Sequence, residues 1–298
     1  MKQVILIHNP SAGNEEHSRE KLVEQIEKGG LSCRYYSTKE QEWKDIDYHA
    51  DILAIAGGDG TIRKVIKQVL KQKHNIPIGI LPLGTANNIA KSLEISGATK
   101  QIIRSWKSAS IKKIDIGWLY NVPEESFFLE GFGFGIFPYL MKEMKKRDIQ
   151  YKAPEDELKG ALKILYEILL SYEPRKCHLE IDGTDHSGKF YMVEVMNIRS
   201  IGPNLVLDPY ANPGDGELEV ILISEAHKDK FAAYLLQKLA NGEDEYQFHT
   251  LKGKQIKIRF DGKHLHADDK LLKVEKETDI LIEIKEKFLE LLVPTGNV

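Results

Sequence analysis

Three runs in the first third of the 298-residue chain are apolar almost without interruption: Val4-Ile5-Leu6-Ile7, Ile52-Leu53-Ala54-Ile55-Ala56 and Ile78-Gly79-Ile80-Leu81. Continuous apolar strands bounded by Gly, Pro, Asn or Asp belong to parallel sheets covered on both faces. Between the second and third runs, Ile62, Val65, Ile66, Val69 and Leu70 keep the spacing of one buried helical stripe, with Arg63, Lys64, Lys67 and Lys71 on the other faces. Alternation of this kind predicts a doubly wound α/β domain, whose ligands bind beyond the carboxyl ends of the strands.

After Asp115 the pattern shortens. His178-Leu179-Glu180-Ile181, Glu217-Leu218-Glu219-Val220 and Lys257-Ile258-Arg259-Phe260 alternate apolar and polar positions, as half-buried antiparallel strands do. Asp182-Gly183 and Asp261-Gly262 are hairpin signals. Helical patterns interrupt the strands over Pro154 to Tyr172 and near Asp229 to Leu239. A second, mostly antiparallel β-sandwich domain is expected, with the boundary near residues 115 to 120.

Each apolar run of the first domain ends in a polar, glycine-bearing turn. Gly57-Gly58-Asp59-Gly60-Thr61 joins a strand to a helix, and its glycines let backbone approach a ligand while the helix start offers free N–H groups. Phosphate suits such a turn. Asp59 beside phosphate calls for a bridging cation such as Mg²⁺ or a role in proton handling; the alternative is an Asp that only closes the turn. Asn9-Pro10-Ser11-Ala12-Gly13-Asn14 and Leu81-Pro82-Leu83-Gly84-Thr85-Ala86-Asn87-Asn88 place further Gly, hydroxyl and Asn groups at the same sheet edge. Neither the Walker spacing nor a GxGxxG fingerprint is met.

Composition narrows the field. The chain is 42% apolar and 29% charged with a formal net charge of −3, so no global positive field draws it to nucleic acid or an anionic membrane. Cys33 and Cys177 lack metal-ligand spacing and fit a reducing compartment. The amino end carries no secretory pattern and no run spans a bilayer, so a cytoplasmic protein is expected.

The three turns, in this order and at this spacing, resemble the diacylglycerol kinase catalytic domain of bacterial lipid kinases. The similarity continues through Asp208 to Val220, where Asp215-Gly216-Glu217-Leu218 resembles that family's Asp-Gly-x-Leu-Asp turn. The resemblance implies a phosphofructokinase-like domain of residues 1–117, completed by a returning strand in 288–298, and a β-sandwich acceptor domain of residues 118–287, with ATP between them. It implies a nucleotide lined by Asn9, Pro10, Ser11, Ala12, Gly13, Asn14, Thr38, Gly57, Gly58, Asp59, Gly60, Thr61, Lys64, Gly84, Thr85 and Asn87. It also implies a structural Mg²⁺ held at Asn212, Asp215 and Glu217. The implied reaction moves the γ-phosphate of ATP to diacylglycerol or a related lipid, met by peripheral contact with a membrane; a homodimer fits the same picture.

The pattern is broken in places. The family's late Asp-Gly-Glu turn, which supplies the base for the acceptor hydroxyl, is read here as Asp261-Gly262-Lys263, and Lys263 is no base at neutral pH without strong burial. Asp59 itself or the Asp268-Asp269 pair are the alternatives for that role. Arg63-Lys64 stand where the pattern commonly has Asn-Glu, and Asn88 where it often has Asp. These departures keep open a nucleotide- or lipid-binding homologue without turnover, and a kinase of a soluble acceptor related to NAD kinases. Gly131-Phe132-Gly133-Phe134-Gly135 reads as a strand packed closely on its neighbour, with an apolar lip for a lipid chain as the other reading. The apolar face of the helix at Leu158 to Leu170 reads as core, the alternative being contact with acyl chains.

Overall fold

A computed structural model describes residues 1–13, 17–147, 153–240, 248 and 250–294. The chain forms two compact units, Met1–Ile114 with Lys287–Val298, and Asp115–Glu286.

Unit 1 is built on β1 (Gln3–His8), β2 (Ser32–Ser37), β3 (Ile52–Gly57) and β4 (Ile78–Pro82), all parallel, in the spatial order β2-β1-β3-β4. Val4 to Ile7 and Ile52 to Ala56 are buried on both faces, which is why the sequence shows no alternation there. Helices α1 (Arg19–Lys28), α2 (Asp59–Gln72), α3 (Asn88–Ser92) and α4 (Thr99–Ser105) cover the sheet. In α2 the stripe Ile62, Val65, Ile66 and Val69 is buried, and each such side chain stabilises the fold by roughly 1.5–3 kcal/mol. The helix starts from the extended Gly58 and ends at Lys73, which adopts a left-handed conformation at φ 57°.

Unit 2 is mainly antiparallel. Its strands are the end of β5 (Ser110–Tyr120), then β6 (Phe127–Phe128), β7 (Gly131–Gly135), β8 (Arg175–Ile181), β9 (Thr184–Asp185), β10 (Gly188–Met196), β11 (Ser200–Ile201), β12 (Leu205–Val206), β13 (Leu218–Ser224), β14 (Thr250–Gly253), β15 (Gln255–Phe260), β16 (His264–Ala267), β17 (Lys270–Lys273) and the start of β18 (Ile280–Val293). The order β17-β16-β7-β10-β8-β15-β18 runs through the unit, with β13 and then β14 branching from β10. The carboxyl end of β18 lies in unit 1, where Leu291 pairs in parallel with Ile78 of β4.

Two cores stabilise unit 2. Phe132, Phe134, Leu179, Val195, Ile256, Ile258 and Ile282 fill the space enclosed by the strands. A second core, with Met192, Ile221 and Ile223, lies under helices α5 (Ile136–Arg147), α6 (Pro154–Ser171) and α7 (Lys228–Leu239). Ala161, Leu162, Leu165 and Leu169 of α6 belong to that core, so the helix spends its apolar face on packing. Helix α5 is an addition to the sequence reading: its buried stretch Ile136, Phe137, Pro138 and Leu140 is short, and a proline in the first turn obscures the helical period. Gly131 to Gly135 form strand β7 between β10 and β16. A Cβ on Gly133 would sit 2.4 Å from the Val193 carbonyl oxygen, so close packing against β10 is what requires glycine there.

Candidate functional site

The three glycine turns of unit 1 meet at the carboxyl ends of β1, β3 and β4, and they are bonded to one another. Asn9 donates its backbone N–H to Ala56 O (2.9 Å) and its side-chain amide to Thr61 Oγ1 (3.2 Å), joining the first turn to the second. Its Oδ1 accepts the Ser11 N–H at 3.1 Å, and its carbonyl accepts the Ala12 N–H, which curls the chain back over the strand end. Gly13 follows at φ 83°. Asn14 lies outside the described residues.

The second and third turns touch backbone to backbone. A Cβ on Gly84 would stand 2.4 Å from Gly58 Cα, and one on Gly57 would stand 2.6 Å from the Thr61 side chain, so neither position has room for a side chain. Leu83 N–H donates to Gly57 O, and Asn87 closes the third turn on itself, accepting from Gly84 N–H (2.8 Å) and donating to Gly84 O (2.7 Å). Asp59 then spans the two turns. Its Oδ2 accepts the Asn88 N–H at 2.9 Å and its Oδ1 the Ile89 N–H at 3.0 Å, two of the donors that the first turn of α3 leaves unpaired. Burial pushes the Asp59 carboxyl up, against the pull of these N–H groups and of Lys91.

Other positions of the expected nucleotide site are spread around this edge. Thr38 is half-buried and donates its N–H to His8 O at 2.8 Å, which brings the end of β2 alongside β1. Pro10, Ser11 and Thr85 are exposed, while Gly58, Asp59, Gly60, Ala12 and Asn87 are partly covered. Lys64 lies one and a half turns into α2 with its ammonium 5.4 Å from the Trp43 ring, a cation–π position. His8 was not anticipated. It is 2% exposed, its Nδ1 is 3.1 Å from Tyr35 Oη, and burial, together with His17, holds its pKa below the usual value.

Unit 2 carries three polar clusters. In the Asp215 turn, Asp115 is fully buried and its Oδ2 accepts the Gly216 N–H at 2.9 Å. Lys252 reaches over the same turn, with Nζ 3.1 Å from Asp215 Oδ2, 3.2 Å from Glu219 Oε1 and 3.9 Å from Glu217 Oε2. Burial pushes the Glu219 carboxyl up to about 7 even with Lys252 beside it. In the hairpin between β16 and β17, Asp268 stands at φ 51° and is 6% exposed. Its carboxylate accepts the N–H groups of Leu129 (3.0 Å), Glu130 (2.7 Å) and Gly131 (3.2 Å). Beside it, His266 and Glu194 form a buried pair at 2.8 Å, with His266 Nδ1 donating to Asp268 O at 3.1 Å. By contrast Lys263 is exposed, and Asp261 in the same turn is ion-paired with Lys276 at 2.6 Å. That turn is a surface connection held by the Val274 N–H to Lys263 O bond.

Residues 3–119 match the Diacylglycerol kinase catalytic domain family, and residues 146–279 match the YegS C-terminal NAD kinase beta sandwich-like domain. The chain belongs to the diacylglycerol kinase catalytic-domain family. A Staphylococcus aureus (strain MSSA476) protein provisionally named a lipid kinase is 30% identical over 65% of this chain, and the chain spans 59% of that relative's length. The Diacylglycerol kinase of Bacillus subtilis (strain 168) is 24% identical over 87% of this chain and 86% of its own. Among solved structures, a diacylglycerol kinase from Bacillus anthracis str. Sterne superposes with a TM-score of 0.74 at 19% identity, covering 98% of this chain and 97% of that one. An NAD kinase from Archaeoglobus fulgidus, solved in complex with ATP, gives 0.55 at 13% identity, over 100% and 94% of the two chains. These likenesses show a shared fold, an α/β domain followed by a β-sandwich.

In this diacylglycerol kinase-family chain, the residues expected to hold a structural Mg²⁺ do not fit one. Asp215 Oδ1 accepts the Glu217 N–H at 3.1 Å and Oδ2 faces Lys252, while Asn212 O accepts the N–H groups of Gly214 and Asp215. A hard divalent cation needs six or more oxygen ligands, and here an ammonium stands among the carboxylates. Among the described residues no group of three His, Cys, Asp or Glu side chains is placed to hold a metal ion. The sequence did carry a signal for the Glu194 cluster: a single acidic residue inside the apolar run Phe190 to Met196.

Proposed function

We propose that the chain transfers the γ-phosphate of ATP to a hydroxyl of diacylglycerol or a closely related lipid. The observation that carries this reading is the mutual bonding of the three glycine turns, which gathers glycine backbone, Asn9 and the Thr61 hydroxyl at one sheet edge. Phosphoryl transfer asks of a protein mainly positioning and charge neutralisation, and such an edge supplies the first through Asn9, Gly13, Gly58, Thr61, Gly84 and Thr85. Mg²⁺ travels with the ATP phosphates as part of the substrate. The names of the staphylococcal and Bacillus subtilis relatives support a lipid as acceptor, and the ATP complex of the archaeal NAD kinase supports the donor.

For the acceptor proton we assign Asp268 in place of the 261–263 turn. Its carboxylate is buried, and the N–H groups of Leu129, Glu130 and Gly131 fix its direction. Exposed Lys263 has neither property. No helix among the described residues is long and apolar enough to cross a membrane, so the lipid is taken from the bilayer surface in this reading.

The test is transfer of labelled γ-phosphate from ATP to diacylglycerol and other hydroxyl lipids in mixed vesicles, run beside NAD and soluble polyols. Label is expected in a lipid. Label in a soluble acceptor alone sinks the lipid assignment, and ATP binding without transfer to any acceptor leaves a nucleotide-binding homologue.

A further inference from the structure

We infer that the ammonium of Lys252 is the resident cation of the Asp215 turn, so that this turn folds and holds its shape without a divalent metal. The strand register fixes the lysine there. Glu219 of β13 pairs directly across from Lys252 of β14, so the two side chains rise on the same face of the sheet, within reach of the turn that leads into β13. Glu219 is fully buried, and its nearest cation is Lys252 at 3.2 Å. The same ammonium lies 3.1 Å from Asp215 Oδ2, and so ties the turn to the neighbouring strand.

Two oxygens of the turn that a metal would use, Asp215 Oδ1 and Asn212 O, are engaged inside it. The Glu217 N–H takes Asp215 Oδ1, the Gly214 and Asp215 N–H groups take Asn212 O, and Asp115 holds Gly216 from beneath. Gly216 itself sits at φ 82°, with its N–H held by the Asp115 carboxylate. A divalent ion brought to Asp215 would meet the positive Lys252 at contact distance. Both cannot occupy the same carboxylates, because two like charges a few ångströms apart repel and neither is fully screened where Glu219 is buried. The Lys252 ammonium donates a hydrogen bond to Asp215 and has the carboxylates of Glu219 at 3.2 Å and Glu217 at 3.9 Å as ion-pair neighbours.

The experiment uses the full chain without nucleotide, so that metal carried by ATP plays no part. Metal content after gel filtration and the midpoint of thermal unfolding are measured in EDTA and in excess MgCl₂ or CaCl₂. Wild-type protein is expected to hold no stoichiometric divalent ion and to unfold at the same temperature in both. Lys252→Met is expected to unfold several degrees lower in EDTA and to recover part of that loss with Mg²⁺ or Ca²⁺, as the freed carboxylates acquire a metal. Lys252→Arg keeps the charge and stays indifferent to EDTA. One equivalent of divalent metal in the wild type, lost in Asp215→Asn and accompanied by a lower unfolding temperature in EDTA, overturns the inference. So does a Lys252→Met protein as stable as wild type and unresponsive to metal. Because these readouts involve neither ATP nor lipid, they stand or fall apart from the proposed kinase activity.

Discussion

Asp59 and Ile89 are 30 positions apart in sequence, yet Asp59 Oδ1 accepts the Ile89 N–H at 3.0 Å, and with the neighbouring bond from Asn88 this makes one carboxylate the clasp between two glycine turns. In the proposed kinase reading, a side chain that faces phosphate is thus also the cap of α3. The two roles do not conflict, since each carboxylate oxygen has a second lone pair.

Removing the clasp has a size. Charge-assisted bonds of this kind are each worth about 1.5–3 kcal/mol, so losing both in Asp59→Ala is expected to cost roughly 3–6 kcal/mol of fold stability and to loosen the third turn. Asp59→Asn keeps one acceptor and is expected to fall between. Urea unfolding measures the first effect and ATP titration calorimetry the second. An Asp59→Ala protein with wild-type stability and ATP affinity would show that the clasp is ornamental.

The two candidate positions for the acceptor base separate cleanly. Lys263 is exposed and only its carbonyl is used, so Lys263→Ala is expected to change stability by no more than about 0.5 kcal/mol and to leave turnover near wild type. Asp268→Asn is expected to cut turnover by about 100-fold or more, the usual weight of a lost proton acceptor. Comparing kcat with the unfolding midpoint distinguishes lost chemistry from lost folding, and equal kinetics for the two variants would remove Asp268 from the role.

The Glu194–His266 pair gives a pH dependence with a definite sign. Burial disfavours charge on His266, but the Glu194 carboxylate beside it and its hydrogen bonds win, and its pKa stands above the ordinary 6.5. Burial raises Glu194 as well, against the pull of His266. A pKa raised by folding contributes stability that is complete below the unfolded value and is lost as pH rises through the folded one. The contribution of His266 is therefore expected to be complete below its ordinary 6.5 and to be lost as pH rises through its raised folded value. Glu194→Gln, which strands a buried imidazole, is expected to cost about 3–5 kcal/mol and to flatten that decline. Urea midpoints across the range measure both.

Much of the fold was legible because it rests on short-range periodicity. The unbroken runs at Val4, Ile52 and Ile78 are β1, β3 and β4, and the stripe from Ile62 to Leu70 is α2. Helix α5 was not legible, since four buried positions beginning at Ile136 and broken by Pro138 give too little period to count. The glycines at 57, 58 and 84 announced a ligand turn, but not that Gly58 and Gly84 face each other across a gap with no space for a Cβ.

What the sequence by itself determined was the order of strands and helices, the polar glycine turns at their ends, and a family resemblance carried by those turns. Only the tertiary structure decided what the charged groups do. Asp59 is bound by backbone N–H groups, which have no side-chain identity to read, Asp268 by three more from 129–131, and Asp215 by a lysine 37 positions away. Local pattern records which residues are buried because burial repeats with the helix or strand period. The partner of a charge depends on strand register and turn closure, and these appear only when distant segments are brought together.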